Sequence, residues 1–352
     1  MKNDEQKQVH KDIFEKRMDR RDFIQQTTKI AGVTFGLSLI NPLGSVPVRA
    51  ESVVAKSRVS VSLSNKKPSF QFGLVADAQY ADIDSKGTRF YRASLDKLTE
   101  AVKTFNEHDL KFTVQLGDLI DRNESSFSKI LPIYNKVNGP KYHVLGNHDY
   151  AMDAKSVANL LGMQNFYYDF GYDGWRFIVI DTNDLSTYAN PIDSEKYRQS
   201  QNIYEVLKWS GAENAQTWNG GVGSDQMTWL RDVLKKSAQA GEKVVVIGHA
   251  PISPLNVHNA WNDEALVKEL ESAGNVAAYF NGHNHAGNYA EKNGIHYVNF
   301  KGMVETADTN AFSIVRVYHD RLEIKGFDRE ENRVLKIKQK RKTAIAKMVY
   351  HA

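Results

Sequence analysis

Cysteine is absent from the 352 residues, so a disulfide, a thiolate ligand and a catalytic thiol are all excluded. Any metal site must be built from oxygen and imidazole, a donor set that suits Mn, Mg, Fe or Zn. Long apolar runs are also missing. Residues 30–40 form a moderately apolar stretch, but Gly32, Gly36, Asn41 and Pro42 interrupt it, and it falls short of the roughly 20 residues a bilayer requires. No later segment is long and apolar enough to span, so the expectation is a soluble mature protein without a stable membrane span. Positive charge is missing where a nucleic-acid groove would need it. Residues 1–50 carry a net +3 and residues 331–352 a net +6, which leaves −5 on the body of a chain whose total is +4. A mildly acidic body argues against nucleic acid as a partner. Internal repeats and low-complexity tracts are absent too. The composition, 41% hydrophobic and 25% charged, supports one sizeable core, and the motifs below spread over most of the length, which favours one domain.

The first fifty residues have the order of an export signal. Arg20 and Arg21 stand in DRRDFIQ, the apolar stretch follows, and VPVRA ends on the small residue Ala50. The pattern resembles a twin-arginine signal, with Phe23 and Ile24 where that signal carries Phe and Leu. It predicts residues 1–50 as a signal peptide, the twin-arginine export machinery as a partner of the precursor, and a periplasmic or extracellular location. A start at Met18 would shorten the basic region without changing that expectation. Residues 51–69 are polar and read as a linker, 70–330 as the folded domain, and 331–352 as a basic, solvated tail.

From residue 70 onward one phrase repeats: a short β-branched or aromatic run, then a polar cluster at its end. Helical spacing lies between several of these runs, as at Leu95, Leu98, Val102 and Phe105, or at Trp229, Leu230, Val233 and Leu234 after a Ser224 N-cap. Strands alternating with helices predict an α/β fold. In open α/β sheets functional residues gather beyond the carboxyl ends of the strands. FSIVRVYHD and RLEIKGFD read as a hairpin, and residues 182–219 as either partly helical or an active-site insertion.

Five clusters fall at such strand ends: DAQ at 77–79, GDLID at 117–121, GNHD at 146–149, GHAP at 248–251 and GHNH at 282–285. Singly, a strand-terminal Asp is an ordinary helix cap and a lone His an ordinary hydrogen-bonding loop residue. Together they bring Asp, Asn and four His to strand ends, a clustering of ligand-type side chains that marks a metal or catalytic site. Glycines before Asp118, Asn147, His249 and His283 allow sharp turns there.

This set resembles the calcineurin-like metallophosphoesterase superfamily, whose pattern is DxH, GDxxD, GNHD/E, a Gly-His pair and GHxH. The resemblance implies a sandwich of two mixed β-sheets flanked by helices. It implies that Asp77, Gln79, Asp118 and His285 hold one divalent metal and Asp118, Asn147, His249 and His283 the other, with Asp118 bridging. It also implies that His148 is the catalytic histidine and Asp149 its orienting partner. Two cations at such a spacing offset charge on both the attacking and the leaving oxygen of a phosphoryl group.

The pattern is broken at one ligand. Gln79 stands where His is usual, and a neutral amide oxygen favours Mn or Mg over Zn. Asp121 stands where purple acid phosphatases carry the Tyr that binds ferric iron, which excludes that branch. The same Gln marks the manganese-dependent ADP-ribose/CDP-alcohol diphosphatases, and FGLVADAQYAD, GTRFYRASL, QLGDLID, WNGGVGSDQMTWL and VNFKGMVETADTNAF are similar to segments of that group in the same order. The implied reaction is hydrolysis of a nucleotide diphosphate substrate, such as ADP-ribose to AMP and ribose phosphate, with Mn as cofactor.

Several further residues carry two readings. Arg89 and Arg92 either reach substrate phosphate or form surface ion pairs. Asn219, Gly220 and Gly221 either let backbone approach the ligand or form a plain turn. Glu305 and Thr306 either support the ligands or close a hairpin. Tyr80, Phe90 and the aromatics of YYDFGYDGW either stack on a base or pack the core. Asp169, Phe170 and Gly171 spell the kinase DFG without a Gly-rich phosphate loop or an HRD loop, and Asp181 ends a strand without being needed in the cage. Two rival functions remain at this level: a broad exported phosphodiesterase or phosphomonoesterase, and a non-catalytic metal- or nucleotide-binding protein on the same scaffold.

Overall fold

The computed structural model describes residues 67–338. The expected signal peptide, most of the linker and the end of the basic tail lie outside these residues. Among the described residues no helix is long and apolar enough to cross a membrane.

Twelve strands form two six-stranded sheets. The first has the order β12-β11-β10-β1-β2-β3, from β1 (Phe70–Val75), β2 (Thr113–Gln115), β3 (Lys141–His143), β10 (Ala311–Val317), β11 (Arg321–Asp328) and β12 (Arg333–Lys336). The second has the order β4-β5-β6-β7-β9-β8, from β4 (Tyr168–Tyr172), β5 (Trp175–Val179), β6 (Lys243–Ile247), β7 (Val276–Asn281), β8 (Asn288–Lys292) and β9 (Ile295–Asn299). Both are mixed: β1, β2 and β3 run parallel, as do β5, β6, β7 and β9, while hairpins β10/β11 and β4/β5 are antiparallel. The expected sandwich of two mixed sheets is the observed architecture. DFG lies in β4, where Phe170 stacks on Phe177 and Tyr142, so that run is packing.

Alternation decides the layers. Phe72, Phe112, Phe177, Val245, Phe280 and Val298 point inward from the two sheets and form the central core. The outer faces are covered by helices. On the first sheet lie α1 (Ser94–Asn106), α2 (Glu124–Tyr134) and α3 (Ala154–Leu160). Leu98, Ala101, Val102 and Phe105 of α1 are buried, the helical spacing of one apolar face, and each large side chain contributes roughly 1.5–3 kcal/mol by leaving water. The chain then forms α4 (Glu195–Ser210), a helix inside the 182–219 stretch, followed by α5 (Ser224–Gln239) and α6 (Asp263–Ala273). Leu230, Leu234, Leu266 and Leu270 of α5 and α6 cover the second sheet. Ser224 is the first residue of α5 and not its cap. Gly223 takes the N-cap position, and its N–H donates to the Asp184 carboxylate.

The expected tail begins inside the fold. Residues 333–336 extend the first sheet as β12, paired to β11, with Leu335 buried in the central core. Arg333 and Lys336 at its two ends and the further Lys after them masked this strand in the sequence. β1, β2 and β3 run parallel in one sheet and β6 and β7 in the other, and the loops after them meet at one edge, where the five polar clusters leave the sheets.

Candidate metal centre

Four residues at this edge, Asp77, Gln79, Asp118 and His283, have φ of 49°, 42°, 54° and 70°. Side chains of this kind rarely adopt that left-handed region, at a cost of about 1–3 kcal/mol each. Hydrogen bonds between the loops hold them. Asp77 N–H donates to Gly117 O and Gln79 N–H to Asp118 O, while both Asp77 carboxylate oxygens accept from His283 N–H at 3.0 and 3.1 Å. Gly146 permits the closest approach: a Cβ there would stand 2.1 Å from Asp118 Oδ1.

The side chains meet in two clusters that share one carboxylate. Asp118, His249 and His283 form one, and Asp77, Asp118 and His285 the other, with donor atoms within 4.8 Å of each other in each. Gln79 Nε2 donates to Asp118 Oδ2 at 2.9 Å, and its Oε1 is buried without a partner. Neighbours set the tautomers. His249 Nδ1 meets Leu116 O at 2.8 Å, which turns Nε2 toward Asn147 Oδ1 at 3.2 Å and Asp118 Oδ2 at 3.4 Å. His285 Nδ1 meets Glu305 Oε1 at 2.7 Å and turns Nε2 toward Asp77 Oδ1 at 3.6 Å. His283 Nε2 meets Asn219 Oδ1 at 2.9 Å, which leaves Nδ1 as its free lone pair.

Lone pairs of carboxylate, amide oxygen and imidazole thus face one another in a buried space, an arrangement that needs cations or protons between them. An orphaned Gln79 oxygen and an oxygen–nitrogen donor set without sulfur fit hard or borderline divalent ions. The charges agree. Burial pushes the Asp118 carboxyl up, but the imidazoles of His249 and His148 overcome it and hold the group well below its ordinary range. Burial pushes His249 down, and Asp118 reverses this, raising the imidazole to about 9. Burial and the neighbouring His249 keep His283 far below its ordinary value, hence neutral. The hydrogen bond from His285 draws Glu305 down to about 2, so a carboxylate–imidazole pair stands behind that ligand. Cations entering here displace imidazole protons.

His148 sits beside the cage, but its expected partner does other work. The Asp149 carboxylate accepts from the N–H groups of Asp118, Leu119 and Gly146 at 2.8–2.9 Å, and so fixes the loop that carries the shared Asp118. Asp121 takes the His148 ring instead: its Oδ1 lies 3.0 Å from Nδ1, and its backbone O 3.1 Å. Asp149 follows His148 in sequence, and two adjacent side chains in the turn Asn147–Asp149 point different ways. Asp121, three residues beyond the shared Asp118, is legible in the sequence as part of GDLID, but nothing local marks it as the partner of His148. Burial pushes His148 down, while Asp118 and Asp121 together carry it up to about 9.

Around the cage the other candidates divide. Arg89 lies in a cleft of about 690 Å3 next to the cage, lined also by His258, His283, His285, Lys301, Glu305 and Arg329, and its Nε is 3.8 Å from Glu305. Arg92 is turned away, bonded to the exposed Asp82 and Asp84 at 2.6 and 2.8 Å. The Asn219 amide is fully engaged by His283, Asn214 O and Val257 O, so it positions a ligand and does not meet substrate. Gly220 and Gly221 are close to protein: a Cβ would stand 2.5 Å from Thr182 O at the first and 2.9 Å from Asn262 Oδ1 at the second. Tyr80 is core, and Asp181 binds Asn183. Sequence reasoning missed His258, whose ring meets that of His283 edge-on at 5.4 Å, along with Arg329 and Lys301; no motif surrounds the first two, and Lys301 lies in VNFKGMVETADTNAF without a ligand-type neighbour to single it out. It missed Lys97 as well, whose Nζ donates to Met303 O, Glu305 O and Thr306 O and so anchors the Glu305 loop.

The chain is similar to known proteins. The family model described as calcineurin-like phosphoesterase matches residues 70–287. A manganese-dependent ADP-ribose/CDP-alcohol diphosphatase of Homo sapiens is 32% identical over 321 residues, covering 77% of this chain and 94% of that protein. One of the same name from Oryza sativa subsp. japonica is 31% identical over 303 residues, 76% and 94% of the two chains. Among solved structures, a dimetal phosphatase from Danio rerio superposes with a TM-score of 0.72 at 28% identity, over 77% of this chain and all of that one. With its two mixed sheets and its paired ligand clusters, the chain belongs to the calcineurin-like phosphoesterase family and is a metal-dependent phosphohydrolase.

Proposed function

We propose that the chain hydrolyses the diphosphate linkage of nucleotide compounds such as ADP-ribose and CDP-alcohols, with manganese in both sites. The observation that carries this reading is Gln79. It occupies a ligand position, its Oε1 is buried and unpartnered, and a neutral amide oxygen there favours Mn over Zn. Relatives whose names specify manganese and these substrates align over three quarters of the chain, which supports the same assignment.

Asp77, Gln79, Asp118 and His285 hold one ion, and Asp118, Asn147, His249 and His283 the other. Bound there, the ions supply Lewis acidity and positive charge to a phosphate. The remaining work falls to the chain. His148, whose charged form Asp121 favours, gives its proton to the leaving oxygen. Asp121 holds the ring and favours the charged imidazole, and Asp149 keeps Asp118 in place through the backbone. Glu305 and Asn219 orient His285 and His283, and the cleft beside them receives the rest of the substrate. Arg20, Arg21 and the apolar stretch after them support export of the precursor by the twin-arginine route. That route carries folded proteins, so the ions can be loaded beforehand.

The test is a comparison of kcat/KM with Mn on ADP-ribose, CDP-choline, a simple phosphomonoester and a simple phosphodiester. The diphosphates should lead by at least about tenfold, the scale of one interaction worth 1.4 kcal/mol. A preference for the simple esters means a broad phosphoesterase and ends the proposal.

A further inference from the structure

Among the described residues, the cleft beside the cage contains one guanidinium without an ion-paired carboxylate. Of its cations, Arg89 faces Glu305 at 3.8 Å, and Lys301 faces the exposed Glu331 at 3.4 Å. Arg329 has no carboxylate within ion-pair distance among the described residues. Its Nη2 donates to Gly302 O at 2.8 Å, and its Nε is buried with no partner. Neighbouring acids are otherwise engaged: Glu330 accepts from Lys301 N–H, Glu331 N–H and Arg333, and Asp328 from Asn310 N–H. Burial lowers the Arg329 pKa from its ordinary value, a sign that the charge is partly desolvated. A half-buried guanidinium that lines a cleft and has no carboxylate at ion-pair distance is short of an anion.

Its place says which anion. Gly302 links it to the cage: Gly302 N–H donates to His285 O, and Gly302 O accepts from Arg329. Lys301 Nζ lies against Arg329 O at 2.8 Å. A phosphate held on the cage ligands therefore has, in the same cleft, a second positive site one loop away. A phosphomonoester or simple diester has nothing to place there, whereas a diphosphate has its second phosphate.

We propose that Arg329, with Lys301 beside it, binds the phosphate that is not attacked, and so makes the site selective for diphosphate linkages over single-phosphate esters. The inference rests on the function proposed above and adds the residue that reads the second phosphate.

Direct binding tests it. In buffer saturated with Mn, the protein is titrated calorimetrically with AMP and with α,β-methylene-ADP, a non-hydrolysable diphosphate carrying the same nucleoside. The wild type should bind the diphosphate about ten- to a hundredfold more tightly, the range of one charge-assisted contact. Arg329→Ala should lose most of that margin, and Arg329→Lys should keep part of it. Kinetics should agree, with the ratio of kcat/KM for ADP-ribose to that for a simple diester falling by a similar factor in Arg329→Ala. An equal loss for both ligands would mean that Arg329 acts only by bracing Gly302 and His285, and would overturn the proposal, as would an unchanged margin. The two readings fail separately. A wild type that prefers simple esters refutes the substrate assignment, whereas the AMP-to-diphosphate margin judges Arg329 without turnover.

Discussion

Replacing Asp121 by Asn separates the observed partner of His148 from the expected one. Asp121 Oδ1 lies 3.0 Å from His148 Nδ1, and the Asp121 side chain is only 1% exposed. The amide keeps the shape and removes the charge. The His148 ring nitrogen bonds the Asp121 backbone O, so the carboxylate acts as a nearby opposite charge, which shifts a pKa by roughly one to three units, and its loss should lower the imidazole by about one to two units. The sign follows from the proton: the neighbouring carboxylates raise His148, it acts protonated, and activity is lost as pH rises through the imidazole's pKa. In Asp121→Asn the alkaline limb of kcat/KM should move toward neutrality by that amount, with little change near pH 6. Bound cations beside Asp118 cancel part of that carboxylate's pull on His148. This lowers the limb in both proteins alike, so the difference between them reports Asp121. Asp149→Asn is the contrast. Its carboxylate holds backbone N–H groups of the bridging loop, so the limb should stay and the Mn concentration for half-activity should rise about tenfold or more, the usual cost of disturbing a ligand's support. An alkaline limb that moves with Asp149→Asn and not with Asp121→Asn would refute the assignment.

The first metal position is open to a similar substitution. Gln79→His exchanges an amide oxygen for an imidazole, and competition between Zn and Mn, read by metal analysis after dialysis, should shift toward Zn by about tenfold or more; an unchanged ratio would show that Gln79 does not touch the ion. Export is tested in cells: a precursor with Arg20→Lys and Arg21→Lys together should accumulate inside, and its undiminished appearance in the periplasm would exclude the twin-arginine route.

The parts of this molecule that were legible in the sequence are those with local signatures. Strand-end clusters at Asp77, Asp118, Asn147, His249 and His283 announce themselves because each strand is a short apolar run and each ligand follows at once. Helix α1 is legible because Leu98, Val102 and Phe105 recur at helical spacing. What escaped is long-range. Strand β12 reads as a basic tail because only Leu335 is buried and its neighbours are solvated; the β11 edge decides it. Arg92 and Arg89 stand three residues apart in one motif, yet Asp82 and Asp84 capture the first while the second enters the cleft. Lys301 and Arg329 lie in separate loops, 28 residues apart in sequence, that meet only in the folded chain.

The exchange of roles between Asp121 and Asp149 has a physical reason that adjacency in the chain hides. A carboxylate among converging backbone N–H groups is best used there, because each loop leaving a strand end presents N–H groups with no ladder partner. Asp149 lies at the crossing of two such loops, at 117–120 and 146, and its two oxygens serve both. His148, on the other side of the same turn, then needs a different acceptor, and the only carboxylate that the loop around Asp118 offers on that side is Asp121. The cage therefore depends on Asp149 for the position of its shared ligand and on Asp121 for the charge of its acid. Loss of metal and loss of the alkaline limb become separable defects, even though both residues lie within a few positions of the same aspartate in space.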